Sequence, residues 1–137
     1  MRTDFQHFVE AQSDAYRRAT SELRQGQKQT HWMWFIFPQL AGLGRSEMAK
    51  KYALASISEA QAYVANPVLG SRLMECVGML QDLPTANAVA VFGDVDAMKL
   101  HSSLTLFALA CPDRPIFQSA LGRWFKGEMD QVTLSLL

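Results

Sequence analysis

No excess of either charge marks this 137-residue sequence, in which thirteen Lys and Arg stand against thirteen Asp and Glu. Nucleic-acid binding draws on a basic excess to displace counterions, so a nucleic-acid partner is not expected. The cluster Arg17, Arg18 and Arg24 reads as a solvated helix face. Cysteine is scarce. Cys76 and Cys111 stand apart, outside any C-x-x-C spacing, so no disulfide framework is indicated. Apolar runs stop well short of the roughly 20 residues of a membrane span. The opening MRTDFQHFVEAQ has no apolar signal-peptide core. The expectation is a cytoplasmic chain with no membrane partner. His7, His31 and His101 share no ligand spacing such as H-x-x-x-H, so no metal is expected, and no cofactor motif is seen. The P-loop, the dinucleotide fingerprint and the nucleophile elbow are missing. Asn-Gly and Asp-Gly hairpin turns are missing too, and alternating polar and apolar runs are few.

What is present is helical periodicity in a chain of ordinary domain size with 49% hydrophobic residues. In residues 4–25, Phe5, Phe8, Val9, Tyr16, Ala19 and Leu23 fall on one face, with Asp4 as a cap and Gly26 as a stop. Residues 30–37 read equally as a short buried helix, with Thr30 as its cap, or as a strand, stopped by Pro38. Ser46 predicts an N-cap for a helix to about Leu54. Ser58 with Gln61 gives a capping-box pattern for the next. Asn66-Pro67 restarts the chain as a helix carrying Leu69, Leu73, Cys76, Val77 and Leu80. Residues 85–92 form a short element closed by Gly93. Asp94 then opens a long helix to about Ala110, apolar nearly all round in its second half and therefore buried. Residues 115–126 make another helix, closed by Gly127, and a short one ends the chain. The predicted fold is all-α: one domain over residues 1–137, a compact bundle of about six to seven helices around a central buried helix near 94–110.

The stretch HWMWFIFPQLAGLGRS, residues 31–46, concentrates the chemistry. His31 sits where polar GQKQT meets an apolar run, as a pocket-rim residue would, and is the candidate acid/base. Trp32 and Trp34 read either as core or as an apolar wall for a ligand. The turn Gly42-Leu43-Gly44-Arg45-Ser46 feeds a helix N-terminus, so its backbone N–H groups form either an anion seat or an ordinary capped turn. On the long helix, Lys99, Ser102 and Ser103 share one side at i, i+3 and i+4. They read as a cation for a carboxylate or phosphate, as a nucleophile with its base, or as hydroxyls bonded to their own backbone.

Taken together, Lys28-x-x-His31-Trp32-Met33-Trp34-Phe35-Ile36-Phe37-Pro38-Gln39 with Gly42-Leu43-Gly44-x-Ser46 resembles the signature of an uncharacterised, mainly bacterial family, the domain of unknown function numbered 1810. Phe92-Gly93-x-x-Asp96-x-x-Lys99-Leu100-x-Ser102-Ser103-x-Thr105-Leu106-Phe107 and Gly127-x-x-Asp130-x-x-Thr133 extend the resemblance along almost the whole chain. It implies a small helical protein. It assigns no reaction and no cofactor, and the label "calpastatin" attached to some members fits nothing in this sequence. The pattern includes polar positions, among them Lys28, His31, Gln39, Ser46, Arg72, Asp96, Lys99, Ser102, Ser103 and Asp130.

Two functions follow. In the first, a small anionic ligand, nucleotide- or phosphate-containing in one version, is held by Lys28, Gln39, Gly42, Gly44, Ser46, Arg72, Lys99, Ser102 and Ser103 beside Trp32 or Trp34, with His31 as acid/base if there is chemistry. In the second, the chain is a non-enzymatic interaction or structural module. Arg72 then pairs with Asp96 or Asp130, and Lys99 with a carboxylate, as internal struts. A monomer is preferred, with the oligomeric state left open.

Overall fold

The structure, a computed structural model, describes residues 4–137, and among these it is all-α. Eight helices follow in order: α1 Gln6–Gln25, α2 Met33–Ile36, α3 Glu47–Lys51, α4 Ile57–Ala65, α5 Pro67–Gln81, α6 Ala88–Ala110, α7 Pro115–Phe125 and α8 Gln131–Leu136. Among the described residues, extended pairing is limited to an isolated parallel bridge between Leu40 and Leu54, which ties together the ends of the α2–α4 connection.

Local chemistry explains the boundaries. Gly26, in the left-handed region at φ 73°, closes α1, and its N–H donates to the carbonyls of Glu22 and Leu23. Asn66 caps α5 through Val68 and Leu69 N–H, with Pro67 at the first turn, where its missing N–H costs nothing. Asp130 caps α8 through Thr133 N–H.

Several boundaries differ from the sequence reading. Thr30 does not cap α2. Its hydroxyl donates instead to Glu22 at 2.6 Å. The helix after Ser46 ends at Lys51, because Leu54 leaves to bridge Leu40. The capping box of α4 is Ser56 with Glu59, not Ser58 with Gln61: the Ser56 hydroxyl accepts from Glu59 N–H, and the Glu59 carboxylate accepts from Ala55 N–H. Asp4 accepts from Gln6 N–H rather than from deeper in the helix.

Helix α6 is the centre of the bundle, packed against α4, α7 and α8. Every residue from Ser102 to Ala108 is buried, so this half of the helix has no solvent face. The expected break at Gly93 is a kink within α6. Gly93 adopts φ 81°, ψ 169°, a region that only glycine enters at low cost, and the kink turns the 88–92 segment away from the 94–110 axis. Helix α5 packs on α1, α4 and α7 and completes the scaffold. Phe8, Trp32, Phe37, Tyr63, Phe107 and Phe117 fill the core between these layers.

Candidate functional site

The site starts from a carboxylate that the sequence hides. Glu22 lies on the buried side of α1, and its side chain collects the segment that follows the helix. It accepts from Gln29 N–H at 2.7 Å, Thr30 N–H at 3.0 Å, the Thr30 hydroxyl at 2.6 Å and the Trp32 indole N–H at 2.9 Å. Burial alone would raise its pKa. The donors from Thr30, Gln29 and Trp32 outweigh burial and hold the carboxyl down at about 2. Trp32 is thereby fixed as a fully buried core residue, 0% exposed, and is not a ligand wall.

With residues 28–32 pinned, Lys28 reaches α6. Its ammonium lies 2.8 Å from Asp96 Oδ2, donates to the Thr30 carbonyl at 2.6 Å and sits over the Trp32 ring, 5.0 Å from its centroid. The other oxygen of Asp96 is 3.8 Å from Lys99 Nζ. Asp96 is thus shared by two lysines that differ in access: the Lys28 side chain is 8% exposed and that of Lys99 is 23% exposed. Lys99 also lies over the half-buried Trp34, 5.1 Å from its ring centroid.

Lys99 lines a groove with room for about 340 Å³. Its walls come from the α2–α3 turn (Gln39, Leu43, Gly44), from α6 (Val95, Met98, Lys99, Ser102) and from the start of α8 (Asp130, Val132). Gln39 and Ser102 meet at its floor: the Gln39 amide donates to Ser102 Oγ at 2.6 Å, and that hydroxyl donates to the Lys99 carbonyl at 3.0 Å. Gly44 is required by close approach, because a Cβ there would fall 2.4 Å from Ala49 Cβ in α3. Asp130 closes the far wall, with Oδ2 accepting from the Thr133 N–H and hydroxyl. Thr105 anchors this corner, accepting from Asp130 N–H at 2.9 Å and donating to the His101 carbonyl.

The fold therefore brings Gln39, Gly44, Lys99 and Ser102 together around one groove. It does not bring the other expected residues there. Gly42, at φ 101°, and Ser46, whose hydroxyl caps α3 by accepting from Ala49 N–H, stand at the exposed back of the turn. Ser103 is buried one position further round α6, and its hydroxyl has no hydrogen-bond partner among the described residues. His31 is exposed, with its ring 6.4 Å from Trp34, and no carboxylate or hydroxyl hydrogen-bonds to it among the described residues. Arg72 pairs with neither Asp96 nor Asp130. It belongs to the α1–α5 contact, stacked over Tyr16 at 5.1 Å and reaching Gln12 Oε1 at 3.4 Å. Gln12 is itself buried and donates to the Phe35 carbonyl and to Tyr63 Oη.

Sequence reasoning missed Glu22 and, though Ala11-Gln12 matches the family pattern, gave Gln12 no role, because a polar residue on an amphipathic helix reads as solvent-facing. Their partners lie far along the chain, and no local spacing announces them. No group of His, Cys, Asp or Glu that could hold a metal occurs among the described residues. No described helix is long and apolar enough to cross a membrane.

Residues 2–137 match the family described as "protein of unknown function (DUF1810)". The crystal structure of a conserved hypothetical protein from Mycobacterium tuberculosis is similar at 44% sequence identity and a TM-score of 0.94, over 96% of this chain and 94% of that one. No curated protein matches. A match of this extent, joined to a solved relative of the same fold, makes the conclusion plain: the chain belongs to the DUF1810 family.

Proposed function

We propose that this protein binds a small anionic ligand in the groove between the Gln39–Gly44 turn, α6 and α8. The observation that carries the reading is the convergence of three distant segments on one concavity, with a partly exposed cation, Lys99, at its edge. The Lys99 ammonium holds the anion. The second N–H of the Gln39 amide, whose first is held by Ser102 Oγ, supplies a further donor, and Leu43, Val95, Met98 and Val132 cover the apolar part. His31 stands outside the groove, on the same side of the molecule as Trp34, so binding rather than proton transfer is the function that the geometry supports best.

A second reading fits the other motif residues. Lys28, Trp32 and Arg72 are each engaged inside the protein, by Asp96, Glu22 and Gln12 respectively. For them the motif is a packing and strut signature.

A thermal-shift screen with monocarboxylates, sugar phosphates and nucleotides tests the binding reading. A ligand that raises the melting temperature of the wild type and of His31→Ala, but not of Lys99→Ala, supports it. If no compound shifts the wild type, or if all three proteins shift alike, the groove is not the site.

A further inference from the structure

Two lysines share Asp96, and only one of them faces the groove. From this arrangement we infer that Lys28 is a positioning residue. It neutralises Asp96, leaves the Lys99 ammonium available, and so makes the groove selective for a ligand bearing one negative charge on an apolar body. The inference rests on the groove reading above and names its ligand class.

The asymmetry of the cluster carries it. Lys28 is saturated: Asp96 at 2.8 Å, the Thr30 carbonyl at 2.6 Å and the Trp32 face consume its charge and its donors, and little of it is exposed. Lys99 is held loosely. Its 3.8 Å separation from Asp96 is beyond a direct hydrogen bond, its other contact is the face of the half-buried Trp34 at 5.1 Å, and no hydrogen-bond acceptor takes its protons among the described residues. The field at Lys99 is thus that of two cations and one carboxylate, a single positive charge. Without Lys28, the full charge of Asp96 would fall on Lys99 and the cluster would be neutral. A second negative charge on the ligand finds no second cation among the described residues that line the groove. It meets Asp130 on the opposite wall, a carboxylate already directed to the α8 N-terminus. Leu43, Val95, Met98 and Val132 supply the rest of the lining, which suits a hydrocarbon body and not a sugar or a polyphosphate.

Calorimetric titration at about pH 8 with three probes tests the inference: hydrocinnamate (a monoanion), phenyl phosphate (a dianion) and ADP. Hydrocinnamate is expected to bind the wild type most tightly and ADP least. Lys28→Met should weaken hydrocinnamate about tenfold, and Lys28→Met/Asp96→Asn should return it to within about threefold of the wild type, because the second change removes the carboxylate that the first set free. A purely structural role for Lys28 gives no such rescue. Hydrocinnamate binding that Lys28→Met leaves unchanged, or that the double variant does not restore, overturns the inference while the groove reading stands. ADP binding tightest overturns the ligand class on the wild type alone, with no variant required. If none of the three probes binds the wild type, the groove reading falls and this inference with it.

Discussion

Glu22 shows how much one residue can organise. Four donors meet one buried carboxylate, and they fix the 28–32 segment from which Lys28 reaches Asp96. Because its folded pKa lies near 2, below the ordinary 4.5, the ionised form stabilises the fold. That stabilisation is complete above about pH 4.5 and is lost as pH falls towards 2. The loss is on the order of 3 kcal/mol. Glu22→Gln keeps the shape but turns donors against a donor, so at neutral pH it should lose about 2–3 kcal/mol in urea denaturation and respond less to acid between pH 4.5 and 2. A variant as stable and as acid-sensitive as the wild type would remove Glu22 from this role. Cys76 gives a second residue-scale expectation. Burial, reinforced by Glu75, pushes its thiol up to about 12, so at pH 8 it should react with Ellman's reagent only as fast as the protein opens. Rapid labelling of Cys76 in native buffer, read in a Cys111→Ser variant, would contradict the packing of α1 on α5.

At the scale of elements, the kink in α6 is the feature most open to test. Gly93→Ala adds a methyl that meets no atom of the described residues within 4 Å, so the expected loss of stability comes from the backbone at φ 81°, ψ 169°. A loss of about 1–3 kcal/mol is expected by thermal denaturation. Unchanged stability would mean that the two segments of α6 join differently. Gly93 was legible in the sequence as a break, as were Asn66-Pro67, Ser46 and the buried second half of α6, because caps, glycines and apolar stripes act over a few residues. The α4 cap shows the limit. Ser56-x-x-Glu59 and Ser58-x-x-Gln61 are both acceptable capping boxes, and the choice between them depends on where the Ala55 segment is held. Within the candidate site, Lys99, Ser102, Gln39 and Gly44 were readable as polar or turn residues in an apolar setting. Arg72 read the same way and sits elsewhere, since nothing local distinguishes a cation that faces a groove from one stacked on Tyr16.

Across the whole molecule, two polar systems serve different ends. Gln12, Tyr63, Arg72 and Tyr16 bind α1 to α4 and α5, with Tyr16 donating to Glu75. Burial raises the pKa values of Tyr16 and Tyr63, so both remain neutral donors throughout the physiological range. The second system runs from Glu22 through Thr30 to Lys28, Asp96 and Lys99, from the core to the surface, and ends at the groove. The first joins helices to one another inside the protein. The second spends a buried lysine on an aspartate and leaves another lysine at the rim. The measurement that tests this account most directly is a methyl NMR titration of the wild type with hydrocinnamate. Shifts confined to Leu43, Val95, Met98 and Val132, and abolished by Lys99→Ala, are the expected result. The absence of shifts, or shifts gathered instead on Ala86, Ala88 and Val89 in the neighbouring hollow beside Trp124, would contradict it.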